Sequence, residues 1–139
     1  MPPVTRQAFA PLLAEDATVS QLSNRTLHDR LQGEHMDPNW SPNVEANLTA
    51  YLQASPSAQA ADVLSVDCRA STCEILTVSK DASGGGLVEW QEDIYTAPRQ
   101  SWWSAYGLKD ISFSVTTTDD GRWIGVTYLT TSRIKVPRS

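Results

Sequence analysis

Apolar residues recur every three or four positions in the first part of the chain, which is the spacing of a helix with one buried face. Two helices are predicted from this pattern. The first begins near Asn24, a residue that favours the N-cap, and the second has Ser41 as its N-cap and Pro42 at its first helical position. Their apolar positions are Leu27 and Leu31 in the first helix and Val44, Leu48, Tyr51 and Leu52 in the second.

Beyond residue 61 the spacing changes to an alternation of apolar and polar residues, which is typical of half-buried strands. The strand near 62–68 is predicted to point Leu64, Val66 and Cys68 to one side. The strand near 73–79 carries Cys73, Ile75 and Thr77 on one side and Leu76 and Val78 on the other.

Two further strands are predicted near the end of the chain. In the first of them Ile111, Phe113 and Val115 alternate with Ser112, Ser114 and Thr116, and the second runs from Arg122 to about Thr130. The residues between them, Asp119-Asp120-Gly121, are typical of a hairpin turn.

A third helix is predicted between the two pairs of strands, from about Leu87, with an interruption at Pro98 and a continuation over 99–106. The order α-α-β-β-α-β-β predicts the α+β class, with an antiparallel sheet of about four strands formed by two hairpins. The helices are expected on one face of this sheet. The pattern leaves the order of the two hairpins open.

The length of 139 residues argues for a single domain. We assign it to 23–132, with 1–22 as an extended arm or linker and 133–139 as a basic tail. With 40% hydrophobic residues the chain can form a packed core, while no apolar run approaches the roughly 18 residues of a membrane-spanning helix. The net charge of −5 disfavours non-specific binding to nucleic acid.

The only two cysteines, Cys68 and Cys73, flank four residues between two predicted strands. A hairpin there brings them within reach of a disulfide, and an even number of cysteines with local pairing is typical of an oxidising compartment. The alternatives are two free buried thiols or half of a metal site. A structural zinc site needs four ligands, and the sequence adds only His28 and His35. We therefore predict a disulfide, no bound metal and no cofactor.

No catalytic motif stands out in the sequence, and no catalytic residue is assigned. The group Glu34-His35-Met36-Asp37, with His28 two turns earlier, has residue types that serve as a general base or a metal ligand. However, sequence neighbours diverge around a helix axis, and the helix dipole alone favours histidine at a helix C-terminus. The run Gly84-Gly85-Gly86 lacks the lysine of a phosphate-binding loop and is predicted to be a flexible loop.

Five tryptophans are many for a chain of this length, and Trp90, Trp102 and Trp103 fall on or near the third helix. Trp102 and Trp103 cannot share one helical face because neighbours are about 100° apart, so one of them should be partly exposed. Tryptophan and tyrosine anchor interfaces well. We therefore take these three tryptophans and Tyr106 as candidate partner-binding residues, with burial in the core as the alternative.

A helix led by tryptophan, followed by a Cys-Arg-x3-Cys hairpin, resembles small exported proteins or lipoproteins of Gram-negative bacteria. The residues that carry this resemblance are Trp40, Glu45 and the segment 66–75. The resemblance implies a periplasmic or outer-membrane-anchored protein whose export signal lay upstream of the given chain. It implies a compartment and no particular activity.

These residues favour a non-catalytic envelope protein that binds another macromolecule, most simply a protein partner. In one form, an inhibitor or immunity-type protein, Arg69 at the tip of the hairpin contacts a carboxylate in the partner's cleft. The alternative is a small enzyme or ligand-binding domain with a pocket between the sheet and the third helix, lined by Trp102, Trp103 and Tyr106. A third interpretation is a self-associating module that exchanges a hairpin between chains.

Overall fold

The computed structural model of the protein describes residues 4–14 and 24–131. Its helices are α1 (Ala10–Leu13), α2 (Asn24–Gly33), α3 (Ser41–Ala54), α4 (Leu87–Thr96) and α5 (Ser101–Ala105), and its strands are β1 (Ala61–Cys68), β2 (Thr72–Ser79), β3 (Leu108–Thr117) and β4 (Trp123–Thr131). Short 3-10 turns cover Arg6–Phe9, Pro56–Gln59 and Ala97–Arg99. The predicted α+β class is confirmed. Within the described ranges, no helix is long and apolar enough to cross a membrane.

The four strands form one antiparallel sheet in the order β1-β2-β4-β3. Both predicted hairpins are present, and they are joined by pairing between β2 and β4, from Thr72 opposite Thr130 to Val78 opposite Ile124. This order places β2 and β4 at the centre, where every residue of both strands is buried. β1 and β3 are the edge strands.

Helices cover both faces of the sheet, so the prediction that they lie on one face is wrong. Side chains alternate along a strand, and Ile75 lies in a main core with α3 and α4 while Leu76 lies in a second core with α1 and α2. The main core includes Val44, Leu48, Trp90, Ile94 and Trp123, and the second core includes Phe9, Leu12, Leu27, Val78 and Tyr128. Because the central strands are apolar on both sides, each side needs a layer of helices.

β1 contains a bulge that changes which residues face the core. Val63 and Ser65 pair with neighbouring residues of β2, so Leu64 between them has no partner in the ladder. Val63 and Val66 both pack against the main core, whereas Leu64 is exposed. The prediction that Leu64 shares a side with Val66 and Cys68 is therefore wrong, because strict alternation does not anticipate an extra residue. A bulge in an edge strand also discourages pairing with another chain.

Part of the predicted arm is helical rather than extended. Arg6–Phe9 form a 3-10 turn that leads directly into α1, with Pro11 in the first turn of the helix, where proline is tolerated. Phe9 and Leu12 are buried in the second core, where they cover the face of the sheet opposite to α3 and α4. The predicted basic tail, 133–139, lies outside the described residues.

The turn between β3 and β4 is held by the carboxylate of Asp120. It accepts a hydrogen bond from the Thr118 hydroxyl and a 3.1 Å bond from Nε of Arg122, whose Nη2 lies 2.9 Å away. These bonds lower the pKa of Asp120 from its ordinary value of 3.8 to about 2. The stabilisation of the turn is therefore complete above the ordinary carboxyl pKa and is lost as the pH falls through the folded-state value.

An NMR titration of the Asp120 side-chain carboxyl should give a midpoint near pH 2. Because the Thr118 hydroxyl makes the largest contribution to the lowered pKa, Thr118→Val should move the midpoint upwards. Thr116→Val makes the same change two positions earlier, in β3, at a residue that forms no hydrogen bond with Asp120, and it should leave the midpoint unchanged. A midpoint near the ordinary value in the unmodified protein would contradict the hydrogen-bonded turn.

Candidate functional site

The predicted disulfide between Cys68 and Cys73 is present. The two residues lie opposite each other at the end of the β1–β2 pair, with Cα atoms 4.0 Å apart, and both are fully buried in the main core. The bond closes residues 69–72 into a short loop. Neither cysteine is available as a nucleophile or a metal ligand in this state. The disulfide therefore excludes the two alternatives, which were free thiols and half of a zinc site.

Two carboxylates bind the backbone of this closed loop. Glu45 of α3 accepts a 2.7 Å hydrogen bond from the N–H of Cys68. Glu34, directly after α2, accepts hydrogen bonds from the N–H and the hydroxyl of Ser71. The loop is therefore fixed to helices on both sides of the sheet, in addition to the disulfide.

Arg69, the candidate for contacting a partner's carboxylate, is turned towards its own chain. Its guanidinium donates to the carbonyl oxygens of Leu31, Gln32 and Glu34 at 3.1 to 3.4 Å and forms a 3.2 Å ion pair with Asp67. Carbonyl groups at a helix C-terminus lack partners within the helix and attract cations. A partner's carboxylate would have to compete with all of these bonds.

The residues around His35 do not assemble with His28 into one site. Glu34 binds the disulfide loop, whereas His35 and Met36 are exposed. His28 points instead towards Glu74 of β2, with its Nδ1 2.7 Å from the carboxylate. In the part of the chain that the structure describes, no group of three or more His, Cys, Asp or Glu residues could hold a metal ion.

A buried carboxylate joins α2 to the two central strands. Glu74 is only 3% exposed, and its Oε2 accepts a 2.8 Å hydrogen bond from the hydroxyl of the fully buried Tyr128. The same oxygen lies 2.7 Å from Nδ1 of His28. Burial, and then the negative charge of Glu74, raise the pKa of Tyr128 well above its ordinary value, so the hydroxyl remains a donor. We interpret this polar network as the element that fixes α2 on the sheet.

The tryptophans divide into a buried set and one partly exposed residue. Trp40, Trp90, Trp103 and Trp123 are buried in the main core. Trp102 is only partly buried, which confirms that one of the two adjacent tryptophans is partly exposed. Of the candidate partner-binding residues, Trp90 and Trp103 therefore lie in the core, and Tyr106 is partly buried with its hydroxyl bonded to Asn47 at 3.1 Å.

Trp102 borders an open groove between α3 and α4, which we name the helical groove. It has a volume of about 480 Å³. Its lining includes Asn47, Ala50 and Tyr51 of α3, Asp93 of α4, and Gln100 and Trp102 at α5. The rings of Tyr51 and Trp102 meet edge to face with their centroids 6.0 Å apart, a favourable aromatic arrangement. The groove thus has an aromatic wall and several polar groups.

Some of these polar groups are bonded within the chain and others are not. The Tyr51 hydroxyl donates to the backbone oxygen of Asp93 at 2.6 Å, and Oδ2 of Asp93 accepts hydrogen bonds from the N–H and the hydroxyl of Ser57. Among the residues described, none bonds to Oδ1 of Asp93, to the indole N–H of Trp102 or to the side-chain amide of Gln100. The residues that line the groove therefore include donors and an acceptor that no described residue bonds.

The α4 side of the groove is acidic. α3 and α4 carry Glu45, Glu89, Glu92 and Asp93 and contain no lysine or arginine. In the following segment 97–105, the one charged residue is Arg99. A surface with charge of one sign raises the local concentration of ligands of the opposite sign, so this face favours cations.

The interface between the sheet and α4, where the alternative function needs a pocket, is filled by side chains. Trp90 and Ile94 of α4 are almost completely buried against the sheet, and the rings of Trp90 and Trp123 have centroids 6.3 Å apart. The helical groove lies between helices, and none of its lining residues belongs to a strand. The open space is therefore on the side of α4 that faces α3 rather than under it.

Trp102 can be recognised as a candidate from the sequence, but its neighbours in the groove cannot. Tyr51 was assigned to the buried face of the second helix, and Asp93 was not singled out at all. These two residues are 42 positions apart, and only the packing of α3 against α4 brings them together. The pairing of His28 with Glu74, 46 positions apart, was missed for the same reason.

Comparison with known protein families, curated proteins and solved structures found no match to this chain. A function therefore has to be inferred from the chain's own residues.

Proposed function

We propose that the protein is a non-catalytic domain of the periplasm or cell envelope that binds another protein through the helical groove. The observation that carries this proposal is the position of Trp102, the one tryptophan of five that lies outside the buried core. Each Å² of apolar surface left in water forgoes about 25 cal/mol of stabilisation, which is a cost for the isolated domain. Tryptophan is enriched among the residues that dominate binding at protein interfaces.

The disulfide supports the proposed compartment. Disulfides form and persist in the bacterial periplasm and outside the cell, and are rare in the reducing cytosol. The resemblance of the Cys68–Cys73 hairpin to exported proteins of Gram-negative bacteria points the same way. An inhibitor or immunity-type protein is one specific form of the proposal, and we favour the groove over Arg69 as its contact surface because Arg69 is already bonded to α2.

The alternative of a small enzyme or ligand-binding domain has less support. Its pocket was expected between the sheet and the third helix, and that space is occupied by Trp90, Ile94 and Trp123. The polar network around Glu74 is buried and bonded within the chain, which favours a role in the fold.

Site-specific photo-crosslinking in cells of the native host tests the proposed function. With p-benzoylphenylalanine in place of Trp102, irradiation should give one discrete heavier species in the envelope or periplasmic fraction. The matched control carries the same residue in place of Tyr95, which is 53% exposed on α4 and is not part of the groove lining. The control should give no such species.

Three results would contradict the proposal. Equal crosslinking from both positions would show that the groove has no special role. No crosslinking from position 102 would show that no partner protein binds there. Recovery of the protein in the cytoplasmic fraction, with both thiols open to alkylation before reduction, would overturn the compartment.

A further inference from the structure

We propose that the helical groove binds an arginine side chain from a basic segment of the partner protein. This inference rests on the proposed function and names the chemistry of the partner. It depends on three features of the groove, which are a carboxylate with one oxygen that no described residue bonds, a partly exposed indole ring and the acidic helix α4 beside them.

Asp93 supplies a negative charge whose position is fixed. Its Oδ2 accepts a 3.1 Å hydrogen bond from the N–H of Ser57 and a second bond from the Ser57 hydroxyl, so the carboxylate is held in one orientation. Asp93 is one of the residues that line the groove, and none of the described residues bonds to its Oδ1. A guanidinium N–H would satisfy this oxygen with a charge-assisted hydrogen bond, which is stronger than a bond between neutral groups.

Trp102 supplies an aromatic surface for the same cation. Tyr51 meets the indole ring at an interplanar angle of 73°, and Trp103 contacts it from the core side with a centroid distance of 6.3 Å. The ring is thereby held in place while part of it remains accessible. A planar guanidinium stacks on such a ring and is more weakly hydrated than an ammonium group, so arginine fits this surface better than lysine.

The charge of the surrounding helices agrees with this ligand. Glu89, Glu92 and Asp93 give α4 three carboxylates and no cation, whereas α2 on the opposite face of the sheet carries both Arg25 and Arg30 beside Asp29. Complementary charge accelerates association and selects against acidic partners.

NMR with a defined probe tests the inference on the unmodified protein. The probe is the peptide acetyl-Arg-Ala-Arg-Ala-Arg-amide, and the comparison peptide has citrulline, an uncharged analogue of the same shape, at the three arginine positions. We expect the indole N–H signal of Trp102, assigned with Trp102→Phe, to show the largest shift. The citrulline peptide should bind roughly tenfold more weakly, because it loses both the charge-assisted bond and the cation–π contact. Equal binding of both peptides would overturn the inference.

Two variants separate a specific contact from general attraction to an acidic surface. Asp93→Asn retains an oxygen that can accept hydrogen bonds from Ser57 and removes the charge. It should weaken binding of the arginine peptide by at least about fivefold. Glu92→Gln removes the same charge from the neighbouring, exposed position of α4, which does not line the groove, and should change the affinity less than twofold. Equal effects of the two variants would overturn the inference in favour of diffuse electrostatic attraction.

The crosslinking experiment distinguishes failure of this inference from failure of the proposed function. If position 102 captures a discrete partner while the arginine and citrulline peptides bind equally, the protein-binding function stands and the arginine site does not. If the peptide binds at Trp102 but no partner is captured, the cation site stands and the proposed function is wrong.

Discussion

Replacement of Glu74 with leucine should lower the free energy of unfolding by about 3 kcal/mol. Leucine fills most of the same volume, so the loss comes mainly from the groups left behind. The hydroxyl of Tyr128 is fully buried and would lose its acceptor, and Nδ1 of His28 would lose the contact that joins α2 to β2. A buried polar group without a partner is more costly than the absence of both partners. Urea unfolding followed by circular dichroism measures the change.

The double variant Glu74→Leu with Tyr128→Phe provides the control. It removes the carboxylate and the hydroxyl together, so neither group is left buried without its partner. Apolar replacement of a buried polar pair is often close to neutral. We expect it to be at least about 1 kcal/mol more stable than the sum of the two single changes implies. Strict additivity would show that the two groups are not coupled within the buried network.

The same network predicts a loss of stability at alkaline pH. A tyrosine in the unfolded chain ionises near its ordinary pKa of 10, whereas burial and the charge of Glu74 raise the pKa of Tyr128 in the folded protein. Above about pH 10 only the unfolded state releases this proton, so the free energy of unfolding falls as the pH rises. Tyr128→Phe should show a shallower decline than the unmodified protein. Equal slopes would contradict the raised pKa.

The regular parts of the fold could be predicted because their periodicity is local. Ile75 and Leu76 lie on opposite sides of β2, as predicted, although helices were expected on only one of these sides. The second layer was missed because Phe9 and Leu12 lie in a proline-containing segment without clear periodicity. The bulge at Leu64 also left no local signal, because an extra residue in a ladder is defined by the partner strand.

A feature of the candidate site could be predicted only where it depends on a single helix or strand. The angle of about 100° between helical neighbours is sufficient to separate Trp102 from Trp103. It does not determine which of the two faces the core, because that depends on how α5 packs beside the sheet. The contact of Tyr51 with Asp93 depends on the packing of α3 against α4, so no spacing within the sequence reveals it.

Replacement of Gly86 with alanine should lower the free energy of unfolding by about 3 kcal/mol, with two separable causes. Gly86 precedes the first residue of α4 with a φ of +87°, a conformation that side chains rarely adopt. A Cβ atom at this position would also lie 2.3 Å from the Cβ of Ala60. The glycine run was predicted to be a flexible loop, but this close approach fixes the start of α4 beside the 3-10 turn that contains Ser57. Because Ser57 binds Asp93, the change should also disturb the helical groove.

The second change Ala60→Gly separates the two causes. It removes the colliding atom and leaves the strained backbone, so the double variant should recover about half of the lost stability. Gly85→Ala is the matched control, since its Cβ would meet nothing closer than the Ser83 hydroxyl at 3.5 Å and its φ is not in the left-handed region. It should change the free energy of unfolding by less than about 1 kcal/mol in either direction. Thermal unfolding of the three variants measures these changes. A decrease in the free energy of unfolding as large for Gly85→Ala as for Gly86→Ala would show that the contact with Ala60 does not position α4.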